Sequence, residues 1–476
     1  MRILHINKYQ TGGAALCALR ISNALQTLGV NTCIITSKGE NTKYINVIPE
    51  DKYNWSKFKF IRFIQRNKYI IKPEKNRYFK IKISKVLKKE KYPIFTTLSS
   101  NNYKDLINHP WIKEADIIHL HWIGNFIDFP SFFINIKKPI VWTLHDLNPL
   151  LGCFHYLDSN QKASSQLLTI EKECINIKRK ALSNNGNINV VAISKQMQKA
   201  INANKTLGKY PITLINNGVD TRKYIPYDKK TSRKKLNIPN EMIVFMFSSS
   251  FLDDTRKGLK ELINALEEAK IRNIFLLCIG NYREIPKTTF SIRCTGYISD
   301  ENLLSQYYSA ADYFVMPSFK EAFAQTPIEA MSCGTPVIAF PCSGTDDLIN
   351  EHNGVICNDF TVDALIEGIK LALKRKYDSN TIRKYIEDNF SYDIIAQKYI
   401  DLYKRILAKN GLNESKEPFS ELDAEFIKHQ KQQNEEVKKS NDFLDYLDQR
   451  REFYKMVLTH PRYIAGWIKR KIIKSK

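Results

Sequence analysis

The stretch Tyr313–Phe340 reads YFVMPSFKEAFAQTPIEAMSCGTPVIAF. A short apolar run is followed by a loop, a helical segment and a second apolar run, which is the order of a β-α-β unit. This order predicts parallel strands with a helix packed on the sheet. Pro327 suits the first turn of the helix, and Thr326 is placed to cap it. The amino end of the helix then opens at the carboxyl edge of the sheet, where free N–H groups favour a phosphate.

The same alternation extends over most of the chain. Predicted strands begin at Arg2–Asn7, and the pattern restarts at Ile243–Ser248 after a connection rich in turn formers and charge. We therefore expect an α/β protein with two tandem Rossmann-like, doubly wound domains, residues 1–222 and 223–410. Ligands of such folds bind at the carboxyl ends of the strands, here in the cleft between the domains. Residues 411–476 are expected to form a charged helical extension.

Composition limits the classes of function. The 476 residues are 43% hydrophobic and carry a formal net charge of +24. A globular protein with a polyanionic partner is indicated, such as phosphates, nucleic acid or an anionic membrane face. No apolar run approaches the length of a membrane-spanning helix, and MRILHIN leads directly into a strand without room for a signal peptide. Nine scattered cysteines without a C-x-x-C pair predict buried thiols in a reducing compartment, so a cytoplasmic location is expected.

The basic excess is concentrated in segments outside the regular pattern. Residues 51–91 contain fifteen basic and three acidic side chains interleaved with aromatics, and the chain ends in RYIAGWIKRKIIKSK. Such segments suit peripheral binding to an anionic membrane surface at the inner face of the cell membrane. The alternative is a solvated basic face whose aromatic side chains pack on the domain.

Two acids stand eight residues apart in the quoted stretch. Glu321 lies on the loop and Glu329 near the first turn of the helix, within reach of a ligand bound at the helix amino end. The simpler interpretation is that Glu329 complements the helix dipole while Glu321 is solvated. The alternative is that both acids hold the hydroxyl groups of a substrate.

Residues Glu321–Ala339 resemble the E-x7-E segment of family 4 retaining glycosyltransferases, which have the two-domain GT-B fold. The resemblance implies that Glu321 contacts the donor sugar and acts at the catalytic centre, while Glu329 contacts the ribose of the nucleotide. It also implies that the intervening residues contribute to the donor site. Those residues are Ala322, Phe323, Ala324 and Thr326.

Other stretches match the family in the same order. Gly12-Gly13 resembles its amino-terminal glycine loop, where absent Cβ atoms let the backbone approach a diphosphate or the acceptor. INNGVDTRKY at 215–224 resembles its interdomain element. DIIHLHWIGNF at 116–126 and VWTLHDLNPLLGCFHY at 141–156 resemble a subgroup found in surface-polysaccharide gene clusters. The resemblance extends from Arg2 to Leu407.

The resemblance assigns two further roles. His145, at a strand end, corresponds to a histidine that contacts the donor sugar near the reacting centre. Arg256 and Lys257, at the amino end of a helix, correspond to the diphosphate-binding element, although Ser249 and Ser250 stand where a Gly-Arg pair is commoner. Fixed cations there would stabilise a leaving nucleoside diphosphate.

No metal site is predicted. His119 and His121 share one face of a strand, but two imidazoles without nearby carboxylates or thiols make a poor metal site. A D-x-D element is absent from the sequence near a strand end, so we expect metal-independent transfer with no cofactor beyond the nucleotide-sugar co-substrate. His155 is placed near the acceptor, and Ser194 is predicted to cap a helix.

The sequence therefore predicts transfer of a sugar from a nucleotide-diphosphate donor to a saccharide acceptor, lipid-linked and used in cell-surface polysaccharide assembly. One alternative is a sugar-nucleotide epimerase of related architecture, whose catalytic carboxylates are not evident. A second is a nucleic-acid-binding protein, against which stands the lack of any nucleic-acid motif in the sequence.

Overall fold

The computed structural model describes residues 1–48, 106–156, 163–183, 185–422 and 426. Two parallel sheets organise these residues, and each is flanked by helices. The first sheet has seven strands in the order β3-β2-β1-β4-β5-β6-β7, and the second has six in the order β10-β9-β8-β11-β12-β13. The strands are β1 (Arg2–Ile6), β2 (Asn31–Thr36), β3 (Ile45–Val47), β4 (Ile117–Leu120), β5 (Ile140–Leu144), β6 (Ile188–Ala192), β7 (Ile212–Leu214), β8 (Ile243–Phe251), β9 (Ile274–Asn281), β10 (Ser291–Cys294), β11 (Tyr313–Met316), β12 (Val337–Ala339) and β13 (Gly354–Ile356).

Helices connect most of the successive strands and cover both faces of the sheets. They are α1 (Gly13–Thr27), α2 (Pro110–Glu114), α3 (Phe129–Asn135), α4 (Ser165–Ser183), α5 (Lys195–Asn202), α6 (Lys229–Lys235), α7 (Leu259–Glu268), α8 (Glu301–Ala310), α9 (Gln325–Ser332), α10 (Thr345–Leu348), α11 (Val362–Lys374), α12 (Ser379–Phe390) and α13 (Tyr392–Lys409). The predicted α/β class with two tandem doubly wound units is confirmed. Eight of the nine cysteines are buried, as expected.

The central strands are buried on both faces because helices pack against each side. All residues of β4 and β5 are buried, and so are seven of the eight residues of β9. Continuous apolar runs such as Ile274–Ile279 follow from that burial, since a strand covered on both faces has no reason to alternate. The strand predicted at Arg2–Asn7 ends at Ile6, and the strand predicted at Ile243–Ser248 continues to Phe251. The short edge strands β3, β10 and β13 were not predicted.

Helix α13 leaves the second unit and packs on the first sheet. Ile395 and Tyr399 of this helix share a core with Ile3, Val141 and Val191. The two chain crossings between the units lie side by side. The N–H of Val219 donates to the carbonyl of Phe390, and the N–H of Tyr392 donates to the carbonyl of Val219. The division at residues 222 and 410 stays a prediction, but the contacts of α13 place that helix in the core of the first unit.

The segment after α13 returns along the first unit. Residues 412–422 contain no helix. Hydrogen bonds fix them to α2, such as Trp111 Nε1 to the carbonyl of Ser420, and to Asp116, which accepts from the N–H of Ser415. Among the helices in the described ranges, none combines the length and apolarity needed to cross a membrane. The basic segment 51–91 lies outside the described residues. So does the predicted helical extension beyond residue 422, apart from residue 426, including the final RYIAGWIKRKIIKSK.

Candidate active site

A cleft of about 320 Å³ lies where the carboxyl ends of strands from both sheets face each other. The first sheet contributes Asp146 and the loop after β5, while the second contributes the loops after β11 and β12. Side chains lining the cleft include Asp146, Tyr156, Lys320, Glu321, Ala322 and Ser343. This is the predicted position of a ligand site in a doubly wound fold.

The second-sheet wall of the cleft is charged. Lys257 Nζ lies 2.5 Å from Glu321 Oε1, so the predicted diphosphate-binding cation and the predicted sugar-binding acid are direct neighbours. Arg256 is paired with Asp254 at 2.6 Å, and its Nη1 also donates to the hydroxyl of Tyr156 across the cleft at 3.3 Å. The structure therefore brings three of the predicted site residues together.

Gly258 explains how two separate loops meet at this wall. It has φ +76°, and a Cβ at this position would lie 2.0 Å from the carbonyl oxygen of Pro317. The glycine thus lets the loop after β8 contact the loop after β11. A short 3₁₀ turn, Thr255–Lys257, precedes it and holds Arg256 and Lys257 at the amino end of α7.

Glu329 lies in a different environment from Glu321. It is 6% exposed, and its carboxylate accepts hydrogen bonds from the Tyr308 hydroxyl at 3.1 Å and from Arg20 of α1 at 3.5 Å. Burial raises the pKa of Glu329, while Arg20 and Tyr308 oppose that shift. Arg20 also pairs with Glu301 at 3.0 Å. A contact between Glu329 and a ribose, which the family resemblance implies, would compete with Arg20 and stays a prediction.

The predicted cap of helix α9 is wrong. The helix begins at Gln325, and its N-cap is Ala324, which has no side chain able to accept a hydrogen bond. Thr326 is therefore the second helical residue, and Pro327 is the third. The amino end still opens on the loop that holds Ala322, whereas Phe323 is buried. The N–H groups of this first turn consequently lack a side-chain cap, which leaves the helix end suited to an anion.

On the first-sheet wall, Asp146 organises the polar groups. Its carboxylate accepts from Trp122 Nε1 at 3.0 Å and is paired with His155 Nδ1 at 2.6 Å. It also accepts from the backbone N–H of Asn148 at 2.8 Å. His155, placed near the acceptor by sequence, thus lies beside the cleft with its ring oriented by a carboxylate.

His145 stands next to Asp146 and contacts other histidines behind it. His145 Nε2 lies 3.0 Å from His121 Nδ1, and His121 Nε2 lies 2.9 Å from His5 Nδ1. Burial lowers the pKa of His145 to about 4 and that of His5 to about 3. Burial also lowers the pKa of His121 well below its ordinary value. These rings are therefore neutral at physiological pH.

His5, His119 and His121 form a compact group, with one nitrogen of each ring within 4.8 Å of the others. Both nitrogens of His119 are already hydrogen-bonded, to Tyr403 and to Thr143, at 2.7 Å each. The rings of His119 and His121 are inclined by 30° with centroids 4.2 Å apart, so the two rings contact each other directly. A metal ion could therefore bind His119 only by displacing one of its two hydrogen bonds.

Two buried charges hold the loop between Asp146 and Tyr156. Glu171 of α4 accepts from the N–H groups of Gly152 and Cys153 at 2.6 and 2.5 Å. Lys178 of the same helix donates to the carbonyls of Asn148 and Leu151, and burial lowers the pKa of Lys178 to about 8. The loop is thus fixed by charge-assisted hydrogen bonds to its own backbone rather than by apolar packing alone.

The remaining predicted residues lie at the same edge of the fold. Gly12 has φ +92°, which favours glycine, and it is the N-cap of α1, whose first residue is the exposed Gly13. Ser194 caps α5 by accepting from the N–H of Met197, as predicted, and its hydroxyl also bonds Ser343 of the second unit at 2.8 Å.

Sequence reasoning missed Arg20, His5 and the role of Asp146. An arginine within the otherwise largely apolar stretch GAALCALRISNAL of α1 was the available signal for Arg20. For His5, the signal was a histidine inside the apolar run of β1, which pairs in register with His119 of β4. Neither signal identifies the partner, because the partners lie more than 100 residues away.

Comparison with known families matches both units. Residues 11–223 match the family described as Glycosyltransferase Family 4, and residues 228–389 match Glycosyl transferases group 1. Together the two matches include the Gly12-Gly13 loop, His145, the Arg256–Lys257 pair and both acids.

Two relatives show the extent of the likeness. The chain is 28% identical over 203 residues to the N,N'-diacetylbacillosaminyl-diphospho-undecaprenol alpha-1,3-N-acetylgalactosaminyltransferase of Campylobacter jejuni, which covers 40% of this chain and 53% of that protein. It is 25% identical over 243 residues to the capsular polysaccharide biosynthesis glycosyltransferase CapM of Staphylococcus aureus, covering 46% of this chain and 62% of that protein. The alignments thus span about half to three fifths of these relatives.

A solved structure supports the fold. Anabaena HepE, crystallised in complex with UDP-glucose, superposes with a TM-score of 0.57 at 17% identity, covering 85% of this chain and all of that one. Two facing parallel-sheet units are therefore the shared architecture.

Proposed function

The chain belongs to family 4 of the glycosyltransferases, with the GT-B fold, and on that premise we propose that it moves a sugar from a nucleotide-diphosphate donor to a saccharide acceptor with retention of anomeric configuration. The observation behind the proposal is the contrast across the cleft. Cations and the Glu321 carboxylate stand on the second-sheet wall, and the neutral imidazole of His145 stands beside the Asp146 carboxylate on the first. A sugar diphosphate has the matching distribution of charge.

In this proposal the phosphate end of the donor binds at the second-sheet wall. Lys257 and Arg256 contact the diphosphate, and each exchanges its present carboxylate partner, Glu321 or Asp254, for phosphate oxygens. Glu321 is then released to accept hydrogen bonds from the sugar hydroxyls. The amino end of α9, with Ala322, Phe323, Ala324 and Thr326 around it, and the Gly12-Gly13 loop contribute backbone N–H groups.

The reaction would break the bond between the anomeric carbon and the donor phosphate oxygen. The acceptor oxygen forms its new bond to that carbon on the same face, and the acceptor proton passes to the leaving phosphate. The protein's contribution is then positioning and charge stabilisation. Arg256 and Lys257 would neutralise the diphosphate without a divalent metal. We therefore expect transfer to continue in the presence of a chelator. Loss of transfer with chelator and its return with magnesium or manganese would contradict this part.

For Glu329 we propose the ribose contact that the family resemblance implies. Its hydrogen bond with Arg20 is the longest of the contacts described above, at 3.5 Å, and Arg20 has the Glu301 carboxylate as a second partner at 3.0 Å. Arg20 therefore has an alternative ion pair when a nucleotide approaches Glu329. Crystals soaked with the nucleoside diphosphate would show whether Arg20 moves.

We further propose a lipid-linked saccharide acceptor used in cell-surface polysaccharide assembly. Support comes from the names of the two relatives, one acting on a diphospho-undecaprenol substrate and the other in capsular polysaccharide biosynthesis. The basic segment 51–91 and the tail Arg462–Lys476 supply a net positive charge for peripheral binding at the inner face of the membrane. Sedimentation with anionic vesicles at low salt, and its loss on charge reversal in 51–91, is the expected result.

The decisive experiment is a screen of sugar nucleotides by thermal shift, followed by assays of donor hydrolysis and transfer to lipid-linked acceptors. We expect one donor to stabilise the protein and to yield nucleoside diphosphate together with a lengthened acceptor. Conversion of the donor without any acceptor would instead support the epimerase alternative. Stabilisation by oligonucleotides but by no sugar nucleotide would support the nucleic-acid alternative.

A further inference from the structure

Behind His145 lies an unbroken series of hydrogen-bonded imidazoles, which we call the histidine chain: His5, His121 and His145. The strands explain how it forms. β1, β4 and β5 are adjacent in the sheet; His121 and His145 directly follow β4 and β5, and His5 is the penultimate residue of β1. His5 and His121 are 0% and 2% exposed, while His145 is partly exposed at the cleft side. The chain therefore runs from the core to the candidate active site.

Counting protons leaves two states for the histidine chain. Each neutral imidazole has one N–H and one acceptor nitrogen. Three rings joined by two hydrogen bonds place two protons within the bonds and the third at one end. That third proton is on either Nε2 of His5 or Nδ1 of His145.

The surroundings of His5 decide between these states. His5 Nε2 is buried and has no hydrogen-bond partner among the described residues. A proton there would be a buried N–H without an acceptor, and orphaned N–H groups are rarer in folded proteins than under-used acceptors. The state with protons on Nδ1 of all three rings avoids that orphan. In it, His5 donates to His121 and His121 donates to His145.

We propose that His5 and His121 are positioning residues that fix His145 as the Nδ1–H tautomer, so that His145 offers a hydrogen-bond donor to the sugar of the donor substrate. The inference rests on the proposed function for what His145 contacts, but not for its tautomer. His145 lines a small cavity with Trp122 and Asp146, and Asp146 also lines the main cleft. A fixed donor at this place would bind a sugar hydroxyl without changing the charge of the wall.

A second group of hydrogen bonds keeps the neighbouring His119 out of the histidine chain. His119 is held between Tyr403 and Thr143, and Thr143 is bonded in turn to Tyr399 at 2.9 Å. Both tyrosines belong to α13. Because both nitrogens of His119 are engaged, it cannot supply the missing partner of His5 Nε2 without losing one of its own bonds.

The tautomer is measured directly on the full chain labelled with ¹⁵N-histidine, by long-range ¹H–¹⁵N NMR, with His145 assigned from the His145→Ala spectrum. The expected result is one His145 species protonated at Nδ1. In His5→Leu the order should be lost, and His145 should appear as a mixture of tautomers. In His5→Asn the side-chain amide can replace the Nδ1–H, and the wild-type pattern should return. A wild-type His145 protonated at Nε2, or a mixture already in the wild type, would overturn the proposal.

Kinetics supply the functional readout. With the donor identified, His5→Leu should lower kcat about tenfold or more with little change in KM for the donor, because misplacement of a reacting group by about 1 Å can cost about 10²-fold. His5→Asn should recover most of the rate. An unchanged kcat in a folded His5→Leu protein would contradict the proposal. If no donor is found, the proposed function fails while the NMR result still decides the tautomer.

His109→Leu is the matched control. His109 is equally buried and has both nitrogens engaged, with Asn46 and with the N–H of Trp111, but it lies outside the histidine chain. It should lose stability and leave the His145 signals and kcat unchanged, so a similar kinetic loss in this variant would show that burial alone is at work. Elemental analysis provides a separate check. If the protein contains one transition metal ion per chain and His5→Leu contains none, the histidines form a metal site and the proposal on the His145 tautomer is wrong.

Discussion

On the first-sheet wall of the cleft, His145 ends a series of buried neutral rings, whereas on the second-sheet wall Lys257 and Glu321 stand as a charged, partly exposed pair. The first arrangement changes neither charge nor partners readily, because desolvation disfavours protonation of every ring. The second can exchange its partners, since each charge regains a counter-charge or a hydrogen-bond partner when a substrate diphosphate binds. We therefore expect the first-sheet wall to orient the sugar of the donor and the second-sheet wall to bind its charged diphosphate.

Removing both cations should have the largest effect. In Arg256→Ala/Lys257→Ala, two charge-assisted contacts to the diphosphate are lost, each worth about 1.5–3 kcal/mol, so kcat/KM should fall about 10²- to 10⁴-fold. Nucleoside-diphosphate affinity, measured by calorimetry, should fall with it. Lys384→Ala, at an exposed lysine of α12, is the control. Preserved diphosphate affinity in the double variant would remove the charge role of this wall.

Changing His145 on the first-sheet wall should separate rate from affinity. His145→Ala should lower kcat by about 10²-fold, in the range for a positioned group at the reacting centre. The affinity for nucleoside diphosphate should stay near the wild-type value, because the imidazole is assigned to the sugar and not to the phosphates. A large loss of diphosphate affinity in this variant would break the division between the two walls.

The two acids should differ in kind. Glu321→Gln should reduce kcat/KM for the donor by about 10- to 100-fold, the equivalent of one charged hydrogen bond, with unchanged stability. Glu329→Gln should in addition lower the free energy of unfolding by about 1–3 kcal/mol, because Arg20 and Tyr308 lose a buried charged partner. Chemical denaturation measures the second effect. Equal stability of the two variants would show that the burial of Glu329 has no energetic consequence.

The smallest expected effect concerns acid stability. The pKa of His5 is about 3 and that of His145 about 4 in the folded protein, below the ordinary value of 6.5. Protons are therefore taken up by the unfolded chain first, so stability is complete above pH 6.5 and falls as the pH drops from 6.5 toward these folded values. Each such histidine contributes a slope of about 1.4 kcal/mol per pH unit. Denaturation between pH 7.5 and 5.5 should show a slope that is shallower in His5→Leu, and an unaltered slope would contradict the assignment.

The sequence was informative where a residue's role depends on local pattern. The apolar runs predicted the central strands, and the E-x7-E spacing predicted two acids around the amino end of one helix. It failed where the partner is distant in the chain. The side chain of Glu329 contacts Arg20, which is 309 residues away in the sequence. A local sequence pattern cannot predict a contact between residues so far apart. The cap at Thr326 failed for a different reason, since Ala324 takes the N-cap position without a side-chain bond and the helix starts one residue earlier than the best capping residue.

The return of α13 to the first sheet has a consequence for dividing the polypeptide. All strands of the second sheet lie in the continuous piece 220–390, while the first unit is built from two pieces, because Ile395 and Tyr399 cover Ile3 and Val141. A fragment ending at residue 219 would expose that apolar surface, and fragment 391–476 would have to be supplied in trans to cover it. The protein can therefore be tested by fragment complementation, with cuts after Val219 and before Ser391. We expect the first unit to fold only when its two pieces are produced together.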